Sequence, residues 1–152
     1  MQATTRDVVL ASAKWPRLVS AIVTTSEFHW DLPYEWTDEW AWEGLAFTLY
    51  FESPLSQVQR EELLRLIVAW YDVGSWGGYG HVEDGKGVMH FVSEIVFKND
   101  APEPRVEWWA DMGSAPRFAL GALMLCLQNW SSETDVTLKK LVFGHYEGFT
   151  AE

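Results

Sequence analysis

GLAFTLYFESPLSQVQREELLRLIVAWYDVG, residues 44–74, changes its hydrophobic period once, and that change decides the fold. From Gly44 to Glu52 the residues alternate: Leu45, Phe47, Leu49 and Phe51 share one face, Thr48, Tyr50 and Glu52 the other. A period of two is the mark of a half-buried strand. After Ser53-Pro54 the period lengthens to that of a helix, with Val58, Leu63, Leu66, Ile67 and Trp70 along one stripe. Ser56 and Gln59 stand in capping-box spacing at its start, and Gly74 is placed to end it. A strand running into an amphipathic helix opens a strand-helix-strand unit.

Downstream, Trp76 to His81 reads as a glycine-broken strand, and Glu83-Asp84-Gly85-Lys86-Gly87 as a turn. Val88 to Phe97 alternates again, with Met89, Phe91, Ile95 and Phe97 inward and His90, Val92 and Glu94 on the opposite face. A proline-bearing loop, Asn99 to Pro104, leads to an extended segment from Arg105 to Asp111. Ser114 is placed to cap a second helix with Pro116 in its first turn, apolar almost all round from Phe118 to Leu127 and so the more buried of the two. Val136 to Tyr146 is a last strand, with an irregularity at Lys139-Lys140 where the apolar register changes.

Upstream, RDVVLASAK after Thr4-Thr5 reads as a short helix ending at Trp15-Pro16, and Leu18 to Thr25 as a strand. The chain, residues 1–152, is expected to form one domain. The order of elements predicts an α+β fold: a mainly antiparallel sheet covered on one face by two helices, ferredoxin-like, with an N-terminal helix and strand added.

Between that first strand and residue 44 lies EFHWDLPYEWTDEWAWE, residues 27–43. Its 17 residues hold six acids, six aromatics and no Lys or Arg. Pro33 breaks any continuous helix through it, and Thr37 can cap a short turn over Asp38 to Trp42 or continue an extended run into the next strand. The segment is too apolar for a solvated tail and too acidic to be buried whole. A surface loop resolves the conflict, its rings packed partly on a scaffold and its carboxylates facing water or a basic partner.

The net charge of −11 is concentrated in this region: from Leu18 to Gln59 there are seven acids and no basic residue. That excludes a phosphate-neutralising nucleic-acid binder. No run is long enough to span a membrane and the N-terminus lacks a signal-peptide core, so a soluble, cytoplasmic protein is expected. The one cysteine, Cys126, sits in the apolar run FALGALMLCL and reads as a buried structural thiol.

Catalytic signatures are weak by comparison. The histidines, His29, His81, His90 and His145, have no metal-ligand spacing, although His90, Glu94 and His145 would share a face if their strands were neighbours. The glycines of GSWGGYG follow a helix instead of opening one, which is wrong for a phosphate cradle, and no nucleophile elbow is present. No cofactor, metal or catalytic residue is assigned. What remains is recognition. Trp30, Tyr34, Trp36, Trp40 and Trp42 would anchor a partner, while Asp31, Glu35, Asp38, Glu39 and Glu43 would pair with its basic groups. A hydrolase or carbohydrate-binding protein using the same carboxylates and rings is the alternative, and a chaperone or adaptor for an apolar client segment a further one. Oligomeric state, monomer or homodimer, stays open.

In general character, a small, strongly acidic, aromatic-rich α+β domain without catalytic residues resembles the immunity proteins with which bacteria neutralise toxins delivered by neighbouring cells. That resemblance implies a basic protein partner, a toxin effector domain whose active site is occluded.

Overall fold

The computed structural model describes residues 32–80 and 87–146. The helix expected in residues 6–14, the strand at Leu18 to Thr25, Trp30, Asp31, and most of the Glu83 to Gly87 turn lie outside the described residues.

The described residues form six strands and two long helices. They are β1 (Tyr34–Trp36), β2 (Leu45–Phe51), α1 (Gln57–Ser75), β3 (Phe91–Val92), β4 (Val96–Lys98), β5 (Arg105–Asp111), α2 (Phe118–Glu133) and β6 (Leu138–His145). In the sheet the order is β1-β6-β2-β5-β3, with β4 also on β5. β2 runs antiparallel to both β5 and β6, β3 and β4 run antiparallel to β5, and β1 alone is parallel to its neighbour, β6. With β3 and β4 taken as one interrupted strand, β2-α1-β3/β4-β5-α2-β6 is the ferredoxin-like βαββαβ frame, each helix crossing over the strand inserted between its own two. Among the described residues, the strand added to that frame is β1, from within the acidic stretch.

The alternation in β2 does what period two requires: Leu45, Phe47, Leu49 and Phe51 are all buried. They meet Val106, Trp108 and Ala110 of β5 and Leu141 and Phe143 of β6 across the ladders. Phe47 is the centre of this face. Its ring lies flat on Trp108 at 4.9 Å and edge-on to Trp70 and Phe143 at 5.7 and 5.6 Å. Leu63, Leu66, Ile67, Trp70 and Val73 of α1 and the nearly all-apolar α2 close over it in one continuous core. The other face of the sheet, carrying Thr48, Tyr50, Glu107 and Trp109, is covered by neither helix.

Five sequence expectations are corrected. Val58 is 62% exposed, because it stands five residues before Leu63 and so roughly 140° away around the helix; Leu55 is buried at the helix entry instead. Gly74 does not end α1. The helix continues to Ser75, and the left-handed residue beyond it is Gly77, at φ 78°. Residues 76–79 then form turns, so the strand expected from Trp76 to His81 is absent from its described part. Ser114 does not cap α2: its hydroxyl accepts from the Val88 amide at 3.1 Å, and the N-cap is Arg117.

The fifth correction concerns residues 88–97. Val92 opposes Ala110 but Val96 opposes Glu107, so one extra residue is inserted between β3 and β4. Ser93 fills the gap: its amide donates to the Trp109 carbonyl and its hydroxyl accepts from the Trp109 amide, both at 2.8 Å. Within β3 the expected faces are inverted, although Met89 is buried and His90 exposed as expected. Val92 packs on the core and Phe91 is 46% exposed against Trp109, whereas Ile95 and Phe97 keep their inward positions. The irregularity expected near Lys139-Lys140 is present: Tyr50 opposes Lys140 and Phe51 opposes Leu138, leaving Lys139 as the extra residue.

Candidate functional site

From residue 32 onward the acidic stretch is neither a helix nor a plain continuation into β2. Residues 34–36 form β1, held on β6 by the Leu141 amide to the Pro33 carbonyl and the Thr37 amide to the Phe143 carbonyl, both 2.9 Å. The Thr37 hydroxyl then donates to the Glu39 carbonyl, turning the chain, and a single 3-10 turn at Trp42–Gly44 delivers it to β2.

The rings and the carboxylates separate as a surface loop demands. Trp36 is half-buried and stacked on Phe143 at 4.4 Å. Trp42 is half-buried, its indole N–H donating to the Ala115 carbonyl at 3.0 Å and its own carbonyl accepting from Met112 at 2.9 Å. Trp40 rests on Trp36 at 4.8 Å and is 39% exposed, and Tyr34 is exposed at the edge of Phe143. Glu35, Asp38, Glu39 and Glu43 are all exposed. Glu35 meets Lys140 at 3.6 Å. Among the described residues, Asp38, Glu39 and Glu43 enter no ion pair.

At the centre of the three indoles is a residue that sequence reasoning missed. The Arg117 guanidinium lies 5.6 Å from the Trp40 ring centroid, 5.9 Å from Trp36 and 6.0 Å from Trp42. Each distance is within cation–π range. A signal for it exists in the chain: Arg117 is the only basic residue between Arg105 and Lys139. It also stands at a helix N-terminus, where the backbone dipole disfavours a cation. A basic residue kept at such a position needs a compensating environment, and three electron-rich ring faces in an acidic neighbourhood supply one.

Glu39 also borders a shallow depression of about 510 Å³ on the sheet face opposite the two helices, shared with Thr48, Glu107, Val142 and His145. Glu107 is already engaged there by Arg105 at 2.8 Å and Lys98 at 3.4 Å. A second hollow of about 630 Å³ lies where Leu32 and Pro33 pass the end of α2. Two of its hydroxyls are engaged by the backbone: Ser131 donates to the Val136 carbonyl and Thr134 to that of Trp130.

His90, Glu94 and His145 are not brought together; among the described residues no group of three or more His, Cys, Asp or Glu is placed to hold a metal ion. His90 instead faces Asp111, at 3.8 Å. The titration of Arg105, on β5, is pushed up by its hydrogen bond to Glu107, and three further groups are displaced at or beneath the helices. Burial pushes the Tyr79 phenol up, with the Cys126 and Asp72 charges adding to it, and burial pushes up the Cys126 thiol and the Asp72 carboxyl. Tyr79 donates its hydroxyl to the Trp70 carbonyl at 2.9 Å. Among the described residues no helix is long and apolar enough to cross a membrane. Comparison with family models, characterised proteins and solved structures gives no match for this chain.

Proposed function

We propose that this protein is an immunity-type inhibitor that binds a cognate toxin enzyme and occludes its basic active site with the surface built from residues 34–43. The observation that carries this reading is the separation just described. Asp38, Glu39 and Glu43 project as exposed carboxylates without ion-pair partners among the described residues, from a loop whose indoles are anchored to Phe143, Ala115 and Arg117. A preformed acidic surface of this kind loses little entropy on docking and attracts a basic partner from a distance.

The test is capture of a partner from native extract by tagged protein at low and moderate salt, in parallel with the variant Asp38→Lys/Glu39→Lys/Glu43→Lys. The wild type is expected to retain one stoichiometric basic protein that is released as salt rises. The variant, with an unchanged circular dichroism spectrum, is expected to associate about tenfold more slowly or worse at low salt. Equal capture by the two proteins, or retention that ignores salt, would sink this assignment of the surface.

A further inference from the structure

We propose that Arg117 is a positioning residue for that surface: its guanidinium clamps Trp36, Trp40 and Trp42 and thereby holds the loop of residues 37–43 in its recognition-ready form. This rests on the reading above for its purpose, though not for its geometry.

The loop contains Asp38, Glu39 and Glu43 within six residues, which repel one another, and its backbone makes few bonds to the body. The Thr37 amide is tied to Phe143 at one end and the Trp42 carbonyl to Met112 at the other. Between those ends the described contacts of Trp40 are with Trp36 and Arg117. Among the described residues Arg117 enters no ion pair. Its planar cation therefore serves the rings. The segment that carries it also accepts the Trp42 indole N–H through Ala115. The β5–α2 connection thus supports Trp40 and Trp42, through Arg117 and Ala115, while Trp36 also rests on Phe143 of β6.

Amide hydrogen exchange on the full chain, read by peptide mass spectrometry, tests this with Arg117→Ala and Arg117→Lys. Arg117→Ala is expected to speed exchange over residues 37–43 by about tenfold, the size appropriate to losing several partly exposed cation–π contacts. Exchange in β2 and β6 should not change. Arg117→Lys should recover part of the protection, since it keeps the charge and loses the planar face. Near-ultraviolet circular dichroism should lose intensity in the same order. If Arg117 served only to begin α2, the change would fall on residues 118–122 instead, and that result, or unchanged exchange over 37–43, overturns the clamp. Loosened exchange over 37–43 together with undiminished partner capture upholds the clamp and overturns the loop as the binding surface.

Discussion

At Gly74 the last turn of α1 passes so close to Met89 that a Cβ would collide with its thioether. Met89 is itself buried and donates its amide to the Gly74 carbonyl at 2.9 Å, so it has little room to retreat. Gly74→Ala is expected to cost about 1–3 kcal/mol through overpacking, measurable as a lower urea midpoint with the same slope. Trp130 makes the opposite kind of demand. Its ring is fully buried and its N–H donates to the Glu62 carboxylate at 3.2 Å. Glu62→Leu should lose about 1–3 kcal/mol by stranding that donor, and Glu62→Gln, which keeps an acceptor, much less. Cys126 was legible in advance from its apolar run, and its burial makes stability depend on alkaline pH. A thiol raised above its ordinary range stays protonated in the folded chain, so its contribution is intact below about pH 8.5, the ordinary thiol value, and is lost as pH rises further. Tyr79 acts in the same direction above about pH 10. The melting temperature should therefore fall on the alkaline side. Thiol reagents at pH 8 should leave native Cys126 unmodified and label it only after unfolding. Arg117 was not legible, because nothing in the spacing of a lone arginine says which rings will surround it.

The elements were readable where one local pattern governs them. Ser56 and Gln59 form the full capping box, the Gln59 amide donating to the Ser56 hydroxyl at 3.1 Å and the Ser56 amide to the Gln59 side-chain oxygen at 2.8 Å. Ser56→Ala should accordingly cost about 1 kcal/mol. They were misread where a tertiary partner competes with the local pattern. Ser114 has the chemistry of an N-cap, but the chain's return from α1 offers it the Val88 amide instead. The β3–β4 segment alternates as a strand should, yet alternation says nothing of an inserted residue, and a single insertion turned Phe91 outward and Val92 inward. Ser93→Ala probes that insertion directly. It removes the acceptor of the Trp109 amide and should cost about 1–2 kcal/mol, with faster exchange confined to the β3–β5 edge.

For the molecule as a whole, the change of period at residues 52–56 led to the right frame because β2 is the strand on which both β5 and β6 pair. The parallel attachment of β1 had no such signal, since three residues are too few to show a period. The candidate surface was visible as composition and invisible as geometry: the chain shows acids and rings together, and only folding sorts them into an anchored aromatic layer and an exposed acidic one. The charge itself has a global effect. At −11 the folded chain repels itself, so moderate salt should raise the melting temperature by a few degrees. The triple reversal at Asp38, Glu39 and Glu43 changes the charge by six units, from −11 to −5, and should flatten that dependence. The interruption between β3 and β4 also bears on how copies of this protein meet. An outermost strand of eight regular residues would be a template for another chain's backbone, a hazard in a molecule with Phe91 exposed on the same edge. Among the described residues this edge is broken into runs of two and three residues, with Glu94 exposed at the break, and offers no stretch long enough to recruit a neighbouring strand.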